Sequence, residues 1–170
     1  MKVQDIMTAD VESCDPQSDL AAAAMIMWKR DCGSVPVVDN ERKVVGMITD
    51  RDICMALATR NKLAAAIKVG EVISGRVYAC APDDNIKDAL EIMQSAQLRR
   101  LPVVADGGTL QGILSLNDVV LHSRRGQSKK HISHGDAMTT LKALAEHRKI
   151  DVESDEQTLA DGQALAAALI

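Results

Sequence analysis

This sequence is written twice. Shifting the chain by 66 residues lays Val3 to Asp52 on Val69 to Asp118 without a gap, and 12 of the 50 aligned positions are identical. Composition alone gives about three or four such matches. The identities include Cys14/Cys80, Pro16/Pro82, Pro36/Pro102, Val37/Val103, Val38/Val104, Gly46/Gly112 and Asp52/Asp118. A unit of about 55 residues encloses too little interior to be comfortably stable by itself. The repeat therefore predicts two copies that bury faces against each other about a pseudo-twofold axis. Two equivalent clefts follow at the seam, where ligands of modest size bind.

The periodicity changes in the same order within each copy. A short strand-like stretch, Val11 to Cys14 or Val77 to Cys80, runs up to a proline. A helix follows Pro16 and Pro82, with Ser18 or Asp19 as cap in the first copy and Asp83 or Asp84 in the second. Its apolar stripe is Leu20, Ala23, Ala24 and Met27, repeated as Ile86, Ala89, Leu90 and Met93. Two strands come next, Val35 to Val38 with Val44 to Ile48, and Leu101 to Val104 with Leu110 to Leu114. Asp39-Asn40 and Asp106-Gly107-Gly108 supply the turns. A second helix starts after Thr49 and after Ser115, with Ile53 and Leu57, or Val119 and Val120, on its apolar side. The reading is thus an α/β chain of the α+β type: residues 1–61 as the first β-α-β-β-α repeat, 62–68 as linker, 69–123 as the second repeat, and 124–170 as a basic linker and helical tail.

The most informative match is Gly46-Met47-Ile48-Thr49-Asp50-Arg51-Asp52 with Gly112-Ile113-Leu114-Ser115-Leu116-Asn117-Asp118. Both read glycine, two apolar residues, a hydroxyl, two variable residues and aspartate. A hydroxyl where a strand meets a helix suits a phosphate oxygen, and the aspartate one turn later suits a ribose diol. The same residues also spell a capping box, with Thr49 or Ser115 capping the helix and the aspartate bonding back. Recurrence at the same place in both copies favours a combined cap and ligand role, with the glycine letting a ligand approach the backbone.

The arrangement resembles a tandem pair of cystathionine-β-synthase (CBS) domains, a Bateman module, over about Val3 to Ser123. The resemblance rests on Val35-Pro36-Val37-Val38 and Leu101-Pro102-Val103-Val104, each followed by its heptad. It implies a regulatory ligand, AMP, ADP, ATP or S-adenosylmethionine, bound between the repeats, and no catalytic cofactor. Thr49 and Asp52 would serve one cleft, Ser115 and Asp118 the other. Groups near Val35 to Val37 and Leu101 to Val103 would flank the adenine. Arg99 and Arg100 stand where family members place a basic group on the phosphates, whereas the first copy has Gly33-Ser34. This makes the second-copy cleft the expected stronger anion site. The resemblance also implies a homodimer, and the alanine-rich stretch Leu20 to Ala24 allows close helix approach.

Composition narrows the function further. Twenty Lys plus Arg against 24 Asp plus Glu, with one Trp, one Tyr and no Phe, disfavour nucleic acid, which needs positive charge and stacking platforms. No apolar run has the length of a membrane span or a signal peptide, so a cytoplasmic protein is expected. Cys14, Cys32, Cys54 and Cys80 are widely spaced and read as reduced thiols. All four histidines follow the repeats, so no catalytic constellation emerges, and His131-x-x-His134 with Asp136 reads as solvated chain rather than a metal site. Arg124 to Lys130 reads as a mobile basic linker. Beyond it, Met138, Leu141, Leu144 and Ala145 have helical spacing and Leu159 to Ile170 forms an apolar run, a tail suited to a protein partner. Three readings compete: a nucleotide-sensing module, a ligand-free interaction scaffold, and a nucleic-acid accessory acting through Arg124 to Lys130.

Overall fold

The computed structural model describes residues 1–74, 76–126 and 131–146. Helix α1, Leu20–Lys29, starts where the Asp19 carboxylate accepts the Ala22 N–H at 2.8 Å. Its counterpart α3, Ile86–Ala96, is capped by Asn85 through the Lys87 N–H at 3.0 Å. The cap expected at Asp83 or Asp84 lies one position later because those side chains are engaged elsewhere. Asp84 accepts the Ala81 N–H at 2.7 Å and Asp83 pairs with Lys2.

After each helix comes one hairpin. Strands β1, Ser34–Val38, and β2, Val44–Thr49, pair antiparallel with Val35 opposite Ile48 and Val37 opposite Gly46. Strands β3, Arg100–Val104, and β4, Leu110–Ser115, repeat that register with Leu101 opposite Leu114 and Val103 opposite Gly112. Both hairpins shift register at the same place, between Val37 and Val38 and between Val103 and Val104. At the turns, the Asp39 carboxylate accepts the N–H groups of Glu41 and Lys43, and Gly107 and Gly108 adopt positive φ.

The strands expected at Val11 to Cys14 and Val77 to Cys80 shrink to one parallel bridge each, Cys14 with Val37 and Cys80 with Val103. Proline is the reason. Pro36 and Pro102 sit inside the partner strands without an N–H, and Pro16 and Pro82 follow two residues after the bridge.

Helices α2, Asp50–Arg60, and α4, Leu116–His122, leave β2 and β4 directly. Ile53 and Val119 face the cores as expected. Leu57 and Val120 do not: both are exposed, and Ala56 takes the inward position on α2.

Each core borrows from the other repeat. Val3 and Ile6 lie in the second core, with Ile86, Met93, Leu101, Val103 and Leu114. Ile67 and Val69 lie in the first, with Leu20, Val35, Val37 and Ile48. The backbone anchors match across the pseudo-axis: Val3 N–H to Asp84 O and Gln4 N–H to Pro82 O on one side, Val69 N–H to Ser18 O and Gly70 N–H to Pro16 O on the other.

Helix α5, His134–Ala145, packs on α3 and α4. The mobile linker expected from Arg124 is tied down at its start, since the Arg124 N–H bonds Ile132 O and its carbonyl accepts the His134 N–H, both at 2.9 Å. Ile132 is fully buried in the second core and drives that attachment. The inward face of α5 is Ala137 and Thr140, while Met138 and Leu141 are exposed, contrary to the expected stripe. The remainder of the basic stretch at 127–130 and the apolar run Leu159 to Ile170 lie outside the described residues. The fold is a mixed α+β arrangement with five helices and two small antiparallel sheets among the described residues.

Candidate functional site

The two heptads fold as the capping-box reading requires. Thr49 caps α2: its Oγ1 accepts the Asp52 N–H at 3.1 Å, while its own N–H and hydroxyl donate to Asp52 Oδ2 at 2.9 and 2.6 Å. Ser115 and Asp118 repeat the arrangement at the head of α4, with 3.3, 2.8 and 2.6 Å. In each pair Oδ2 carries these bonds and Oδ1 takes part in none of them. A cap therefore does not exhaust the carboxylate.

The heptad glycines have a different use from the one expected. A Cβ on Gly112 would lie 2.7 Å from Thr8 O, and one on Gly46 would lie 2.7 Å from Ile73 Cδ1. The chain's own crossing segments occupy the space expected for a ligand. On the Gly112 side the contact is a two-way bridge, Thr8 N–H to Ile113 O at 3.0 Å and Ile113 N–H to Thr8 O at 2.9 Å.

That bridge forms one edge of a cavity of about 440 Å³ between the repeats. Ser115, Ile113, Asn117 and Arg100 contribute from the second repeat; Thr8, Asp10, Val11, Glu12, Ile26, Arg30, Asp31, Cys32 and Ser34 contribute from the first. The volume lies in the range that holds a nucleoside-sized ligand. Ser34 is 6% exposed, and its Oγ is buried with no hydrogen-bond partner. A buried hydroxyl left unsatisfied costs free energy.

Arg30 reaches across from the end of α1. Its Nε donates to Glu12 at 2.6 Å and its Nη1 to Asp10 at 3.2 Å. These carboxylates, with Asp31, lie far from the heptads in sequence. No sequence signal marked the pairing of Arg30 with Glu12, 18 residues earlier.

The other expected site residues divide. Arg100 lines the cavity at the start of β3, while Arg99 is exposed and not among the lining residues. Val35, Val37, Leu101 and Val103 are at most 1% exposed, and their side chains fill the two cores. Thr49 and Asp52 sit at the pseudo-equivalent place, with Ser74, Arg76 and Tyr78 at the positions that match Thr8, Asp10 and Glu12. The Arg76 guanidinium stacks over the Tyr78 ring at 4.7 Å.

Of the His131, His134 and Asp136 set, the last two are engaged elsewhere, whereas His131 Nε2 is buried with no hydrogen-bond partner. His134 Nδ1 bonds Ser123 Oγ at 2.9 Å, and Asp136 caps α5 through Ser133 while pairing with Lys87 at 3.4 Å. The N–H of Ser133, helped by its hydroxyl and Lys87, holds the Asp136 carboxyl below its ordinary range. Among the described residues no three His, Cys, Asp or Glu side chains cluster as metal ligands. All four cysteines are free thiols. Burial pushes Cys14 up to about 11 and Cys80 up to about 12, so neither is a thiolate nucleophile at neutral pH.

Fold and cavity together define a class: a two-repeat module with a ligand-sized cavity shared across a pseudo-twofold seam. Comparison with known proteins makes the class specific. The CBS domain family model matches residues 3–59 and 69–125. The chain is 32% identical to the CBS domain-containing protein YhcV of Bacillus subtilis over 82% of its own length and 94% of that protein's. The chain belongs to the CBS domain family, as a tandem pair. Two solved pairs resemble it closely in fold. One is the CBS domain pair of MJ0100 in complex with 5-methylthioadenosine and S-adenosyl-L-methionine, at TM-score 0.65 and 26% identity, covering 71% of this chain and 94% of that one. The other is CBSX2 in complex with AMP, at TM-score 0.62 and 26% identity, covering 71% and 93%. No helix among the described residues is long and apolar enough to cross a membrane.

Proposed function

We propose that this chain is a regulatory, non-catalytic module that binds an adenosyl ligand between its repeats and passes the occupancy to a second copy or a partner. The observation that carries this reading is the nucleoside-sized cavity between the repeats, lined by Ser34 from the first and by Arg100, Ser115 and Asn117 from the second. The adenosyl ligands of MJ0100 and CBSX2 support the choice of ligand class. In this assignment Asp118, held by Ser115 and not itself among the lining residues, offers Oδ1 to the ribose diol. Arg100 meets a phosphate or carboxylate, and the backbone near Val35 to Val37 and Leu101 to Val103 flanks the base. Thr49 and Asp52 play the same parts on the other side of the seam.

Four unpaired thiols support a reducing compartment, hence the cytoplasm. The homodimer belongs to the same reading through α1 and α2, where Met25, Trp28 and Met55 are exposed.

A ligand that binds only the native state must raise its melting temperature. Melting the chain with S-adenosylmethionine, 5-methylthioadenosine, AMP, ATP and GTP is therefore the test. An upward shift with adenosyl compounds and none with GTP, abolished in Asp118→Ala, is expected. No shift with any of them would leave the interaction scaffold as the better description.

A further inference from the structure

The cavity's charges select among adenosyl ligands. Resting on the functional reading above, we infer that the Ser115 cavity takes adenosyl compounds that are uncharged or cationic at the 5′ end and rejects nucleoside polyphosphates. Three carboxylates, Asp10, Glu12 and Asp31, line it against two guanidiniums, Arg30 and Arg100. Arg30 is already committed, at 2.6 Å to Glu12 and 3.2 Å to Asp10. A phosphate that takes its remaining Nη hydrogens still sits beside two carboxylates that already offset its charge. Arg100 pairs with no carboxylate among the described residues, and one guanidinium is enough to balance a single phosphate and not a chain of them. A sulfonium or primary amine, in contrast, meets Asp31 and the outer oxygens of Asp10 and Glu12. Specificity of this kind comes from what the site repels as much as from what it attracts.

The matching positions of the other repeat sharpen the contrast. Where the first repeat has Asp10 and Glu12 the second has Arg76 and Tyr78, and where the second has Asn117 the first has Arg51. The carboxylate lining is thus particular to the Ser115 side. Ser34 lines the same cavity, and its hydroxyl is buried without a partner.

Calorimetric titration of the full chain with S-adenosylmethionine, 5-methylthioadenosine, AMP and ATP tests the inference. Ser34→Ala marks which binding event belongs to this cavity. That variant is expected to melt no lower than the parent, because it removes an unsatisfied hydroxyl, yet to weaken the cavity's ligand several-fold; a purely structural serine would not separate the two readouts. For the Ser34-dependent event, S-adenosylmethionine and 5-methylthioadenosine should bind at least tenfold more tightly than ATP, with AMP between. The variant Asp10→Asn, Glu12→Gln, Asp31→Asn should then gain at least tenfold in ATP affinity and lose affinity for S-adenosylmethionine. Tighter ATP than S-adenosylmethionine binding at this event, or an unchanged ratio after neutralisation, overturns the selectivity and leaves the adenosyl-binding module standing. Failure of all four compounds to bind removes the functional reading, and the inference with it.

Discussion

Among the described residues three hydroxyl–carboxylate pairs make the same bonds, and one of them borders the cavity. Thr49 with Asp52, Ser115 with Asp118, and Ser133 with Asp136 each close a capping box at a helix start. The third lies outside the heptads, so the motif is helix-capping chemistry before it is ligand chemistry. That supplies an internal control. Ser133→Ala and Ser115→Ala should each cost about 1 kcal/mol of stability, the usual loss for removing a serine cap. Only Ser115→Ala should also weaken the adenosyl ligand, as read by melting curves with and without it. Equal ligand affinity in the two variants would reduce Ser115 to a cap. The heptads were legible in the sequence because a cap is a local event, spanning three residues whose types are diagnostic. The Arg30 pairings with Asp10 and Glu12 were not, since nothing short of the fold brings the end of α1 over that segment. The orphaned hydroxyl of Ser34 was equally silent, because a serine before Val-Pro-Val-Val reads as an ordinary start to a strand.

Helices and hairpins followed the periodicity closely, and the departures trace to proline and to unpaired faces. The stretches before Pro16 and Pro82 have strand-like residues, yet the prolines in and after the ladder leave room for one bridge each. Apolar spacing overstated the inward faces of α2, α4 and α5, because Leu57, Val120, Met138 and Leu141 remain exposed. These residues raise the question of what each helical face meets. On α3, Gln94 Nε2 donates to Thr140 of α5 at 2.8 Å, and Gln97 Nε2 reaches the α5 carbonyls of Ala143 and Glu146. The aligned residue of Gln94 on α1 is Trp28, which is 85% exposed beside a shallow cavity formed by α1 and α2. Among the described residues this helical face is covered in the second repeat and bare in the first. A second copy packing α1 and α2 there would bury the indole. Sedimentation velocity should find the full chain as a dimer and Trp28→Glu as a monomer. The melting temperature of the monomer should be close to the parent's, since exposed positions tolerate substitution within about 0.5 kcal/mol. A monomeric parent, or a dimeric Trp28→Glu, would assign the exposed indole to another partner.

At the scale of the whole molecule, the repeat in the sequence and the units in space are not the same objects. Alignment groups Val3 with the residues that follow it, whereas packing places Val3 and Ile6 in the core of the second hairpin and Val69 in the core of the first. A sequence period records which positions are equivalent; it does not say which copy each one packs in. The exchange makes the seam a covalent crossing as well as a contact surface. It also fixes the cavity between the repeats, because the segment that leaves the second core at Ile6 runs straight into Thr8, Asp10 and Glu12 on the cavity wall. Strain or loosening in one core is thereby coupled to the site through five or six residues of chain. The crossing can be tested by asking which hairpin suffers when an anchor is trimmed. Val3→Ala and Val69→Ala each remove buried methyl groups from fully buried positions, at a cost of about 2 kcal/mol once the residual cavity is included. In hydrogen exchange, Val3→Ala should speed the amides of Leu101, Val103 and Leu114 while those of Val35, Val37 and Ile48 keep the parent's rates. Val69→Ala should do the reverse, with the first hairpin losing protection and the second keeping it. Each variant loosening the hairpin of its own sequence repeat would mean the segments are not exchanged. Equal loosening of both hairpins would mean the two cores open as one cooperative unit, and the seam would then transmit a ligand's effect to the whole molecule at once rather than from one repeat to the other.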